Sequence, residues 1–279
     1  MKAFEEFRCK SPEFWALVKL ISQELGYTER KTKSIRTFNE VEITALLDEK
    51  GVLFRYETVQ DVVAYSERRA DMLNNYAQHY LMDADNAHAV FDALWSLAKD
   101  QNYLCSIPMN KQTGDMKQVS FLTAIINILT EKTLREAGLY FGKKCFNDDP
   151  RSLLYTLDQK GYLAGTSSRR MDGAYPDVIN PQIVWEIKEY YYTTSFGSRV
   201  ADGIYETRLD GHELRDFSNR TLRPIKHIMF IDGYRTWWKD GKSYLCRLID
   251  MLNEGLVDEV IIGREVLTRW PEFLRSVLE

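Results

Sequence analysis

The chain has 279 residues, 44% hydrophobic and 28% charged, which is the make-up of an ordinary soluble globular protein with one large domain or two modest ones. No apolar run could span a bilayer and the opening MKAFEEFRCKSPEF has no signal-peptide core, so a cytoplasmic location is expected. Cys9, Cys105, Cys145 and Cys246 lie too far apart for a zinc motif or a disulfide framework. The formal net charge of −4 does not favour a nucleic-acid partner by itself, but phosphate contact needs only a local basic surface.

The first hundred residues read as helices. Ser11-Pro12-Glu13 supplies a capping serine, a first-turn proline and a first-turn acid. Phe14, Leu17, Val18, Ile21 and Leu25 follow at helical spacing, and Gly26 ends the run. A second helix is expected over about 39–50, and longer ones over about 59–81 and 85–99. Between the first two lies a basic connection with Arg30, Lys31, Lys33 and Arg36. The polar stretch SIPMNKQTGDM marks a domain boundary, dividing the chain into 1–112 and 113–279.

Beyond it the pattern changes. A helix is expected over about 116–137 and a shorter one over 151–160. Two strand-like runs, 174–179 and 182–191, are split by the turn signal Asn180-Pro181. A helix over 197–217, a strand at 227–232, an amphipathic helix ending at Gly255, a strand at 258–263 and a terminal helix complete the order. This is an α/β arrangement around one mixed sheet.

The chemistry concentrates in Tyr175 to Lys188. If the chain reverses at Asn180-Pro181, Ile179 faces Gln182 and Asp177 faces Val184. Side chains alternate along a strand, so Val184, Glu186 and Lys188 share a face, and Glu186 is the diagonal neighbour of Asp177. Such neighbours stand roughly 7–8 Å apart. Two carboxylates at that spacing suit one hard cation, with a lysine ammonium beside it. Acid-x-Lys recurs elsewhere, as at Glu29/Lys31 and Asp158/Lys160, but only Glu186/Lys188 ends an apolar strand preceded by a turn and an aspartate.

Pro176-Asp177, eight residues, then Glu186-Ile187-Lys188 resembles the signature of the PD-(D/E)xK nuclease superfamily, which includes most type II restriction endonucleases. The resemblance covers about 116–263. It implies a restriction-endonuclease-like core, a mixed sheet flanked by helices, behind an N-terminal helical domain. It also implies Mg²⁺-dependent hydrolysis of phosphodiester bonds in double-stranded DNA, with Mn²⁺ able to substitute. Asp177, Glu186 and the main-chain carbonyl of Ile187 would ligate the metal, and Lys188 would activate the nucleophile. Many members carry a further glutamate on the preceding helix. Glu136, which falls in the apolar stripe, is favoured over Glu131.

The expected protein is a homodimeric, site-specific type II restriction endonuclease, with a cognate DNA methyltransferase as a possible partner. Two alternatives stand beside it. One is a repair, recombination or anti-phage nuclease that recognises structure or ends. The other is a non-enzymatic DNA-binding regulator built on the helical N-terminal part. Arg169-Arg170, just before the hairpin, and the basic 30–36 connection are the expected DNA contacts.

Overall fold

A computed structural model describes residues 1–110, 118–139, 142–149, 151–192 and 198–278. The N-terminal helices follow the capping signals. Helix α1 (Pro12–Leu25) starts at Ser11, whose side chain accepts the Phe14 N–H. Helix α2 (Glu40–Glu49) starts with a reciprocal capping box between Asn39 and Glu42. Helix α3 (Tyr56–Asp71) continues through a π-helical stretch, Met72–Ala77, into the short α4 (Gln78–Tyr80). Helix α5 (Ala84–Asp100) starts at Asp83, whose side chain accepts the Asn86 N–H. A two-residue pairing of β1 (Met109–Asn110) with β2 (Gln118–Val119) precedes the apolar α6 (Phe121–Glu136).

The expected helix at 151–160 is instead a strand. β3 (Leu153–Leu157) pairs antiparallel with β4 (Leu163–Arg170) as a separate two-stranded sheet. The turn between them is tied by Asp158, whose side chain accepts the Lys160 and Tyr162 N–H groups. The main sheet has four strands in sequential order: β5 (Gly173–Tyr175), β6 (Ile183–Glu189), β7 (Lys226–Asp232) and β8 (Glu259–Ile262). β5 is antiparallel to β6, and β6, β7 and β8 are mutually parallel. Parallel neighbours need crossovers, supplied by α7 (Ser198–Thr221) and α8 (Lys242–Asn253). Helix α9 (Val266–Leu278) closes the described chain.

Helices cover both faces of the sheet, so its strands are largely apolar, with charged residues of β6, β7 and β8 as the exceptions. Ile183, Trp185, Ile187, Ile228, Phe230 and Ile261 point towards α5, α6 and α9. There Trp270 stacks edge-on against Trp185 and Phe230, and its indole N–H donates to Thr130 Oγ1 at 2.8 Å. The opposite residues, Met229, Ile231, Val260 and Ile262, join the core formed by α1–α3 and α8. The two halves are locked by Arg69 of α3. Its fully buried guanidinium meets Asp250 of α8 at 2.9 and 3.1 Å, and the Tyr65 hydroxyl donates to the same carboxylate at 2.7 Å. Removing one partner of a buried pair of this kind costs about 3–5 kcal/mol.

Leu81 belongs to the core of the N-terminal helices, whereas Met82, Ala87 and Phe91 belong to the core around α6 and α9. The change of partner therefore falls between Leu81 and Met82. Among the described residues no helix is long and apolar enough to cross a membrane.

Candidate active site

Strand β6 alternates as expected. Trp185 and Ile187 enter the core beneath α6, while Val184, Glu186 and Lys188 face the other side, under α7. The register of β5 differs from the expected one. Ala174, not Asp177, stands opposite Val184, and Gly173 stands opposite Trp185. Gly173 admits the Trp185 ring, since a Cβ there would lie 2.1 Å from the indole. The next residue outward, Asp172, therefore comes opposite Glu186. Its backbone N–H donates to Trp185 O at 3.1 Å, and its Oδ2 accepts the Ile187 N–H at 2.7 Å.

The reason lies in β3. After Tyr175 the chain leaves the main sheet and runs along β3: Tyr155 N–H donates to Val178 O and Asn180 N–H to Tyr155 O. The Asn180 side chain accepts the Leu157 N–H at 2.8 Å. Asn180-Pro181 is thus the end of a longer connection and not a two-residue hairpin. Asp177 sits in that connection, exposed, accepting from Asn147 Nδ2 at 3.1 Å and from the Val178 N–H at 2.7 Å. It therefore does not stand opposite Val184 beside the Glu186 strand, as the expected hairpin would have placed it. Glu136 is also outside the cluster, paired with Lys132 and Arg275 at the exposed end of α6.

Around Glu186 and Lys188 of β6 the fold gathers residues from β4, α7 and the link between β4 and β5. Lys188 Nζ lies 3.1 Å from both Glu186 Oε2 and Glu206 Oε2. Its stem runs past Gly203 of α7, where a Cβ would lie 3.2 Å from Lys188 Cε. Arg169 enters from β4, which is bolted to α7 by Ser168 N–H donating to Glu213. The Arg169 guanidinium reaches Asp210 Oδ2 at 2.7 Å, Glu206 Oε2 at 3.1 Å and Glu186 Oε1 at 2.9 Å. The last contact is an ion pair without hydrogen-bond alignment, because Glu186 Oε1 has no hydrogen-bond partner among the described residues. Asp210 Oδ1 is likewise buried and unpaired. Arg169 was expected to face DNA; it turns inward, and only Arg170 beside it is exposed.

Four carboxylates, Asp172, Glu186, Glu206 and Asp210, thus surround two cations. Burial, reinforced by the charge of Glu186 and only partly offset by Lys188, pushes Asp172 up to about 7. Burial also pushes Asp210 up to about 7, against the pull of Arg169. Burial disfavours the Lys188 ammonium, but Glu186, Asp172 and Glu206 outweigh it and hold its pKa above the ordinary lysine value. The cluster is short of positive charge, and it borders an open cavity of about 440 Å³ lined by Asp172, Ile187, Lys188 and Glu206, with Asn110 and Arg199 opposite.

No three acidic, histidine or cysteine side chains among the described residues are placed to hold a metal by themselves. Mg²⁺ does not require three, since it is commonly held by one or two carboxylates and keeps several waters. Asp172 and Glu186, with the Ile187 carbonyl between Glu186 and Lys188, fit that requirement: Glu186 Oε1 has the Arg169 ion pair but no hydrogen-bond partner among the described residues, and the Asp172 carboxyl is raised by burial and by the charge of Glu186.

Sequence reasoning missed Asp172, Arg169, Glu206 and Asp210 as members of this cluster. Of these, only Asp172 carried a local signal, an acid directly before a strand glycine. The expected basic contact in the N-terminal part is split: Arg36 is clamped by Glu29 and Glu42, while Arg30, Lys31 and Lys33 are exposed.

Residues 82–277 match the family described as Domain of unknown function (DUF7687), and residues 1–76 match Domain of unknown function (DUF7690). The gap between them, residues 77–81, ends where the packing changes from Leu81 to Met82. No curated protein and no solved structure matches the chain.

Proposed function

The chain belongs to the DUF7687 family, and we propose that it is a Mg²⁺-dependent nuclease of the PD-(D/E)xK kind acting on double-stranded DNA. The observation that carries this reading is the juxtaposition of Asp172 with Glu186-Ile187-Lys188 across β5 and β6, at the edge of a cavity. The order of elements supports it: α6, an antiparallel strand pair, a crossover helix, and parallel strands. Asp172 takes the role that the signature gave to Asp177.

In this reading Asp172, Glu186 and the main-chain carbonyl of Ile187 hold the ion. When bound, Mg²⁺ polarises a phosphoryl oxygen and acidifies a water. Lys188, kept protonated by its carboxylate neighbours, orients the nucleophile and offsets charge developing on phosphorus. Glu206 fixes the Lys188 ammonium, and Arg169 holds Glu186 and Asp210 in place. The cavity beside Lys188 receives the phosphodiester, with exposed Arg199 at its rim. A homodimeric, site-specific type II restriction endonuclease is the form proposed, because cutting two strands needs two sites.

Digestion of a sequenced plasmid tests the proposal. Mg²⁺ or Mn²⁺ should support cleavage, excess EDTA should abolish it, and discrete bands should mark sequence specificity. Full cleavage in EDTA would refute the metal assignment.

A further inference from the structure

On the far side of α7 from the carboxylate cluster lies a second cleft of about 440 Å³, where α1 meets α7 and α8. At 100° per residue, Glu206 and Asp210 occupy one face of α7, and Ile204, Tyr205 and Arg208 the opposite one. The cleft is therefore formed jointly by the N-terminal helices and the helix that also carries two of the cluster's acids.

Its walls divide by chemistry. Leu20, Ile204 and Met251 form an apolar floor. Tyr205 is 61% exposed, so its ring is open to a ligand. Three cations line the same cleft: Lys19, Arg208 and Arg247. Among the described residues, only one carboxylate engages them. Glu254 takes Lys19 at 2.8 Å and Arg208 at 2.7 and 2.8 Å. The other acids at the cleft are already matched, Glu24 by Lys50 and Asp250 by Arg69. Arg247 is fixed in orientation, its guanidinium lying 5.1 Å from the Tyr27 ring centroid and 5.0 Å from that of Tyr244, with Gln23 accepting at 3.2 Å. A fork held between two rings loses little freedom when it meets an anion. His212, one turn beyond Arg208, is held below the ordinary histidine range chiefly by burial, with Arg208 and Arg215 adding to the effect and Glu254 opposing it.

We propose that this cleft binds a free nucleoside phosphate, its base laid over Tyr205 and the apolar floor and its phosphates against Arg247, Arg208 and Lys19. The volume falls within the range of about 300–1,000 Å³ usual for small-ligand sites. The combination of one open aromatic face, an apolar floor and surplus fixed cations matches an aromatic base joined to an anion. Neither an apolar ligand nor a bare anion would use both the apolar surface and the cations. This inference does not rest on the nuclease reading, because the cleft and the cluster share no lining residue except through the backbone of α7.

Calorimetric titration of the full chain with ADP, GDP and CDP, without divalent metal, tests it. At least one should bind saturably, and adenosine or inorganic phosphate alone should bind more weakly. Arg247→Gln should weaken binding about tenfold or more, since a charge-assisted contact of about 1.5–3 kcal/mol corresponds to that factor, and Tyr205→Ala, at an exposed position, should weaken it about fivefold or more through the lost base stacking. Circular dichroism melts establish that both variants fold. Lys188→Ala should leave binding unchanged. Absence of saturable binding by all three nucleotides overturns the proposal, as does binding that survives both cleft variants or is lost with Lys188→Ala. A short 5′-phosphorylated oligodeoxynucleotide that displaces the nucleotide as well as ADP does would also overturn it, by making the cleft part of a nucleic-acid path.

Discussion

Replacing Asp172 with asparagine should make the protein more stable and inactive at once. In the native state the Asp172 carboxyl has its pKa raised from 3.8 to about 7, chiefly by burial and secondarily by Glu186. A native pKa above the unfolded value means that the folded chain holds this proton more tightly. The associated stability is complete below about pH 4 and is lost as pH rises towards 7. A difference of about three pH units, at about 1.4 kcal/mol each, gives a ceiling near 4 kcal/mol. Coupling to Glu186 and Lys188 reduces it, so about 1–3 kcal/mol is expected. The amide oxygen introduced by Asp172→Asn can still accept the Ile187 N–H that Asp172 Oδ2 accepts at 2.7 Å, but the side chain carries no charge. Urea unfolding of both proteins without metal, at about pH 5 and pH 8, measures the effect. The advantage of Asp172→Asn should be small at pH 5 and larger by about 1–3 kcal/mol at pH 8. A variant that is less stable at both values, by the same amount, would refute the idea that Asp172 is a strained buried acid.

Three further outcomes follow from the same cluster. Lys188→Ala should lower the single-turnover cleavage rate by about 10²–10³, while DNA affinity measured in Ca²⁺ stays near that of the wild type; an unchanged rate would remove Lys188 from the mechanism. Arg169→Gln leaves Glu186 and Asp210 without their shared cation, and should destabilise the metal-free protein by about 3–5 kcal/mol. Mg²⁺ should raise the melting temperature of Arg169→Gln by more than it raises that of the wild type; equal shifts would show that the ion and the guanidinium do not compensate the same charge. Ca²⁺, which tolerates looser geometry and longer ligand distances, should support DNA binding in an anisotropy assay but little cleavage; Ca²⁺-driven cleavage at the Mg²⁺ rate would contradict a geometry-dependent site.

The parts of the fold legible in sequence are those where one local signal dominates. Ser11-Pro12 and the Asn39/Glu42 box start α1 and α2 because they satisfy helix-end N–H groups. The apolar runs of β6, β7 and β8 are strands covered on both faces, which need no partner to be recognised. What was not legible depends on tertiary pairing. Leu153, Leu154 and Leu157 have helical spacing, yet the Asp158–Tyr162 turn and β4 draw them into a strand. The same β3 then captures residues 178–180, which moves the β5 register and exchanges Asp177 for Asp172. Glu186 and Lys188 kept their common face because alternation survives any change of partner. Arg169, Glu206 and Asp210 join them only because β4 crosses α7, and no spacing along the chain encodes that crossing.

The central claim is that Asp172, and not Asp177, stands with Glu186 and Lys188 in a metal-dependent site. Plasmid cleavage in Mg²⁺ by Asp172→Asn and by Asp177→Asn, under identical conditions, tests it most directly. Asp172→Asn should be inactive while remaining folded and able to bind DNA in Ca²⁺, and Asp177→Asn should cut at close to the wild-type rate. Loss of cleavage in Asp177→Asn with activity retained in Asp172→Asn would contradict the account.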